Sequence, residues 1–195
     1  KINYKERFSR QNLVTLPNEL WVGDSMAEKL ATSIFPEMVI KKVPNPYLIG
    51  VKNKFKSKIP LNYDKIKILF VSSNFDNFFI KNNYSKLTDQ FILNSFIENI
   101  NSWFDSRIVE ELSIRPHPSE PFDKYSLTTP QKFKINIDKK DRLSSSLAIH
   151  THVVGFESMA LVVAKACNLH TFNIDLGIEA LKTIPKEYID QYIVF

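Results

Sequence analysis

Two short segments combine residue types that can hold an anion. The first is Arg115-Pro116-His117-Pro118. The prolines restrict the backbone on both sides of His117 and hold it off a preceding strand. An imidazole held in this way can donate to a phosphate oxygen, and Arg115 can add charge-assisted hydrogen bonds. The same residues also make a proline-rich turn with a surface histidine, and spacing alone leaves both readings open. The second segment is Val153-Val154-Gly155-Phe156-Glu157-Ser158-Met159-Ala160, where a strand runs through a glycine directly into a helix. Gly155 permits a tight turn or the close approach of a ligand. Glu157 and Ser158 are expected in the helix's first turn, where free N–H groups and the helix dipole favour an anion. Ser158 can hydrogen-bond a phosphate. Glu157 would repel one, but suits the hydroxyls of a ribose or sugar. Plain capping of the helix by either side chain explains the same residues.

The remaining chemistry-bearing residues point to less. His150 and His152 are two apart on an expected strand and so share a face. Two ligands are too few for a metal site and no Cys or Asp cluster completes one, so a structural role is expected. His170 reads as a loop residue. Cys167, the single cysteine, lies in an apolar stretch and reads as a buried, inert thiol. There is no Walker A loop, no G-x-G-x-x-G and no G-x-S-x-G, which argues against a P-loop ATPase, a typical dehydrogenase and an α/β-hydrolase. No cofactor and no metal is expected.

The elements that must position these segments alternate. Residues 19–23 read as a short buried strand, with Asp24 or Ser25 capping a helix that Pro36 ends, and 38–43 as a returning strand. Pro44, Pro46, Gly50 and the lysines up to Pro60 then read as a linker that breaks regular structure. Residues 66–72 are too apolar for a one-sided sheet and suit a parallel strand covered on both faces. A polar loop over 73–86 and a periodic helix over 87–104 follow. Strands are expected at 109–114, 133–137, 149–156 and 171–174, with helices at 141–147 and 157–167. One more short helix is expected at the end. Strands alternating with helices imply an α/β fold with a Rossmann-like parallel sheet and helices on both faces. Both anion-type segments fall at carboxyl ends of strands, where ligands of such sheets bind.

Composition sets outer bounds. The 195 residues are 44% hydrophobic and 24% charged, which suits a packed core. No apolar run approaches the ~18 residues needed to cross a bilayer, and no signal peptide is visible. A cytoplasmic location is expected. The net charge of +5 is concentrated between Lys52 and Lys67. That stretch reads as a solvated linker; attraction to an anionic substrate or to headgroups at the inner face of the membrane, a peripheral association, is the alternative. It is too dispersed for a nucleic-acid surface.

Arg115-Pro116-His117-Pro118-Ser119-Glu120, followed about forty residues on by the segment from Val153 to Ala164, resembles the donor-binding half of GT-B glycosyltransferases. The resemblance is nearest to bacterial surface-polysaccharide enzymes of the sialyltransferase-like and polysialyltransferase-like groups, and covers residues 66–175. It implies that His117 and Pro118 match a His-Pro motif and Ser158 a serine motif that grip the phosphate of a CMP-sugar. Glu157 matches an acidic residue placed against ribose or sugar. Where some of these enzymes have paired hydroxyl residues, this chain has Ser158-Met159. The implied organisation is a partial acceptor-side β-α-β segment over 1–50, a linker over 51–64 and a nucleotide-sugar-binding domain over 65–195. Asp24 and Glu28 are then the carboxylates in 1–50 open to the role of base. The resemblance implies His117 as catalytic, with Arg115, Pro118, Gly155, Glu157 and Ser158 binding the donor. The implied partners are a nucleotide-sugar and a glycan acceptor. Another GT-B-like enzyme, such as an epimerase or glycerophosphate transferase, and a non-catalytic nucleotide- or partner-binding domain remain as competing readings.

Overall fold

Residues 17–56, 65–84, 86–105, 108–125 and 133–194 are described by the computed structural model. The chain divides into two units, Lys1–Asn53 and Lys54–Phe195. Lys58 and the neighbouring part of the expected linker lie outside the described residues.

In the first unit, strand β1 (Glu19–Val22) pairs in parallel with β2 (Val39–Lys42) across helix α1 (Ser25–Ile34). Asp24 caps α1 by accepting from the Ala27 N–H at 2.7 Å. The expectation of a buried strand at 19–23 is corrected. Only Val22 is buried, and Trp21 is 63% exposed, because the small core formed by Val22 and Ala31 covers one side only. The reading of 44–50 as broken backbone is also corrected. Helix α2 spans Pro46–Lys54. Pro46 occupies its first position, where the missing N–H costs nothing, and Asn45 Oδ1 accepts from the Tyr47 N–H.

The second unit is a six-stranded sheet, every neighbouring pair parallel. Its strands are β3 (Ile66–Val71), β4 (Val109–Arg115), β5 (Lys134–Ile137), β6 (His152–Gly155), β7 (His170–Asp175) and β8 (Gln191–Val194). Their spatial order is β5-β4-β3-β6-β7-β8. Helices α3 (Asp76–Lys81), α4 (Asp89–Glu98), α5 (Leu143–Leu147) and α6 (Met159–Ala166) fall between strands. The chain therefore winds one way from β3 to β5 and the other way from β6 to β8, with the reversal between β3 and β6.

Strand β3 shows why the sheet has two covered faces. Ile66, Ile68 and Phe70 join one core cluster with Ile92, Leu93, Phe96 and Ile97 of α4. Leu69 and Val71, of opposite parity, are buried as well. Phe96 lies at the centre of an aromatic group, its ring 5.9 Å from Phe70 and 6.2 Å from Trp103 and from Phe104.

Two expectations fail in this unit. Residues 73–86 are not wholly loop: α3 forms there, held by the fully buried Phe79 and by Asp76 Oδ1, which accepts from the Asp89 N–H. The chain's end carries two single 3-10 turns and the edge strand β8 rather than one more helix. In β8 only Ile193 is buried, so the strand presents a single apolar side chain to the core.

Candidate functional site

The carboxyl ends of β3, β4 and β6 converge on a cavity of about 370 Å³. Val71 pairs with Arg115 on one side and Gly155 on the other, so the cavity opens at the point where the winding of the sheet reverses. Ligands of open parallel sheets bind at such a point. Most of its lining comes from three strand ends and the turns that follow them, with Leu143 of α5 added. The turn after β3 supplies Ser72, Ser73 and Phe75, and that after β4 supplies Arg115 to Pro118. The step from β6 into α6 supplies Glu157 to Ala160. Both segments singled out from the sequence thus meet in one cavity.

Their side chains are held very differently. His117 sits exposed on its turn, which closes on itself: its N–H donates to Glu120 Oε2 and its carbonyl accepts from the Glu120 N–H, each at 2.8 Å. The Glu120 carboxylate is anchored by Lys124 Nζ at 2.5 Å and by the Tyr125 hydroxyl at 3.2 Å. Lys124 also contacts Asp76 Oδ2 at 2.7 Å and Asp89 Oδ2 at 3.1 Å. One ammonium thereby ties the His117 turn to α3 and α4. Burial pushes the Asp89 carboxyl up to about 6, although its contact with Lys124 opposes the rise. The Tyr125 hydroxyl also lies 2.6 Å from Ser72 Oγ, joining this cluster to the turn after β3.

Arg115 lines the cavity, and Nη1 of its guanidinium is engaged elsewhere. It donates to Asp138 Oδ2 and the Lys140 carbonyl at 2.8 Å each, and to Ser146 Oγ at 2.9 Å. These contacts fasten β4 to the connection between β5 and α5. Burial would raise the Asp138 carboxyl, but hydrogen bonds from Ser146 and Arg115 outweigh it and hold the group below its ordinary value.

Glu157 and Ser158 do not lie inside the helix as the spacing suggested. Ser158 is the N-cap of α6, its Oγ accepting from the Ala160 N–H at a long 3.4 Å. Glu157 precedes it with φ of 47°, a left-handed conformation that turns the chain sharply between strand and helix. Its carboxylate faces protein. Oε1 accepts from Asn173 Nδ2 at 2.6 Å, and Oε2 accepts from the Thr183 and Ile184 N–H groups at 2.5 and 3.0 Å. Gly155 is explained by a close approach, that of β3. A Cβ there would fall 2.6 Å from Val71 Cγ2 and 3.1 Å from the Val71 carbonyl oxygen.

Ser72 and Ser73 are cavity residues that sequence reasoning passed over, as the last residue of a strand and the first of a polar loop. The available signal was that they directly follow the most apolar strand, at its carboxyl end. Ser73 Oγ donates to the Phe156 carbonyl at 2.5 Å and so pins the β3 turn to the start of the β6 turn.

The other histidines lie elsewhere. His170 is the first residue of β7 rather than a loop residue, and its ring stacks on that of His152 at 4.9 Å. His150 is buried, its Nδ1 against the Ser146 carbonyl at 2.7 Å. Cys167 is buried, and burial pushes its thiol up to about 11. Among the described residues no three His, Cys, Asp or Glu side chains are grouped to hold a metal ion. Among them, too, no helix is long and apolar enough to cross a membrane. In the first unit, Asp24 is committed to capping α1, and Glu28 Oε2 lies 3.8 Å from Lys42 Nζ.

Comparison with protein-family models, with curated proteins and with solved structures returned no match. The class is defined by fold and site alone: an α/β domain with a Rossmann-like six-stranded parallel sheet and a crevice at its topological switch point.

Proposed function

We propose that this domain binds a nucleotide-sugar and is the donor half of a GT-B-type glycosyltransferase acting on a bacterial surface glycan. The observation that carries the reading is the convergence of His117 and the capped start of α6 on one cavity at the switch point. The N–H groups at the start of α6 favour an anion, and His117 stands across the same cavity as a second donor. The sequence resemblance supplies the sugar and, with CMP, the first nucleotide to test.

In the reaction implied, the bond between the sugar's anomeric carbon and the donor phosphate oxygen breaks. The bonding pair leaves with the phosphate, and an acceptor hydroxyl forms the new bond and gives up its proton. His117 and the α6 N-terminus would stabilise the charge gathering on the phosphate. The proton needs a base. Among the described residues the one carboxylate lining the cavity, that of Glu157, already accepts hydrogen bonds on both oxygens, so we look for the base outside this lining. The same observation favours a second reading, nucleotide binding without transfer by this chain.

Thermal unfolding in the presence of CMP, CDP, UDP, GDP and ADP tests the first step. A ligand bound only by the native state at a hundred times its Kd adds about 2.7 kcal/mol of stability. A rise in Tm with one nucleotide is the expected result. No rise with any of them at millimolar concentration counts against the reading. A rise without sugar transfer to any glycan favours binding alone.

A further inference from the structure

The turn carrying His117 places donors against one of its two ring nitrogens. The Ser119 N–H points at His117 Nδ1 at 3.3 Å, and Ser119 Oγ lies 2.7 Å from the same atom. A backbone N–H can only donate, so Nδ1 must be an acceptor. Ser119 Oγ in turn accepts from Asn74 Nδ2 at 2.8 Å, which leaves the serine's own hydrogen available for Nδ1. A neutral imidazole that accepts at Nδ1 carries its hydrogen on Nε2. Asn74 has φ of 55°, in the left-handed region that asparagine tolerates better than most residues. It directly follows Ser72 and Ser73, so its amide links the turn after β3 to the turn after β4.

We infer that Asn74 and Ser119 are positioning residues that hold His117 as a fixed Nε2–H donor. His117 then meets an anionic ligand by donation, and in this state Nε2 has no lone pair with which to take a proton from an acceptor hydroxyl. The role toward a nucleotide phosphate rests on the function proposed above; the placement of the hydrogen does not.

The test is nitrogen-15 NMR of the ligand-free protein at about pH 8, where an ordinary imidazole is neutral. The His117 signals are assigned by their loss in His117→Gln. The expected result is a protonated Nε2 and a bare Nδ1. Ser119→Ala and Asn74→Gly, the latter keeping the left-handed backbone accessible, should each give a mixture of tautomers, while Ser119→Thr restores the single form. CMP affinity should fall about fivefold in Ser119→Ala, the worth of one neutral hydrogen bond, and stay within about twofold in Ser119→Thr. A hydrogen on Nδ1 in the unaltered protein overturns the inference, as does a tautomer unmoved by both Ser119→Ala and Asn74→Gly. A protonated Nε2 in a protein that binds no CMP upholds it and counts only against the nucleotide reading.

Discussion

The two edges of the six-stranded sheet use histidine in opposite ways. At the carboxyl edge, His117 stands exposed on a turn braced by Glu120, Lys124 and Tyr125. At the amino edge, His152 opens β6 among the rings of Phe104, His170 and Phe172 at 5.7, 4.9 and 5.8 Å. Burial and the neighbouring His170 push its imidazole down to about 4. One edge keeps a polar group at the cavity, while the other builds polar groups into packing. The same division runs inside the carboxyl edge, where Glu157 and Arg115 line the cavity but bind the protein. Lining the cavity does not by itself make a residue a ligand candidate; the atoms through which it is already bound must be weighed.

Four measurements sharpen or break this contrast. The largest effect is expected from Glu157→Gln, which replaces an acceptor by a donor opposite Asn173, Thr183 or Ile184. It should destabilise the domain by about 3 kcal/mol, read as a lower urea midpoint. Unchanged stability with lost nucleotide binding would move Glu157 to the ligand side of the division.

The amino edge should betray itself by pH. With a folded value of about 4 against 6.5 for the free side chain, the unfolded chain binds the His152 proton first. This contribution is full above pH 6.5, is lost as pH falls toward 4, and amounts to about 3 kcal/mol. His152→Phe should flatten the stability profile in that window. A profile of the same slope in both proteins would contradict the assignment.

Gly155→Ala comes next, because its methyl group must displace Val71. A loss of about 2 kcal/mol is expected by chemical denaturation, and retained stability would show that β3 and β6 can separate.

The smallest effects on stability belong to the residues assigned to ligand. His117→Ala should leave Tm unchanged while weakening nucleotide binding about tenfold. Ser158→Ala should behave similarly, with about 0.5 kcal/mol lost from the cap. Isothermal titration with CMP separates the two quantities. Unaltered affinity in both variants would remove the phosphate site.

The sequence by itself determined the alternation of strands and helices, the parallel sheet and the two turns that meet at its edge. Each is written locally. The apolar run at 66–71 demands burial on both faces, the prolines flank His117, and Gly155 precedes a helical period. Three short elements were not legible in this way. Helices α2 and α3 and strand β8 are fixed by a proline at a first helical position, one buried phenylalanine and one buried isoleucine, none of which makes a periodic pattern. The sequence likewise offered His117 as catalytic and Arg115, Glu157 and Ser158 as donor-binding, without saying which of their atoms are free to act. Only the tertiary structure separated them, because hydrogen-bond partners come from distant parts of the chain. Asp138 and Ser146 claim Arg115, and Asn173, Thr183 and Ile184 claim Glu157. Asn74, more than forty residues before His117, completes the chain of hydrogen bonds that fixes its ring.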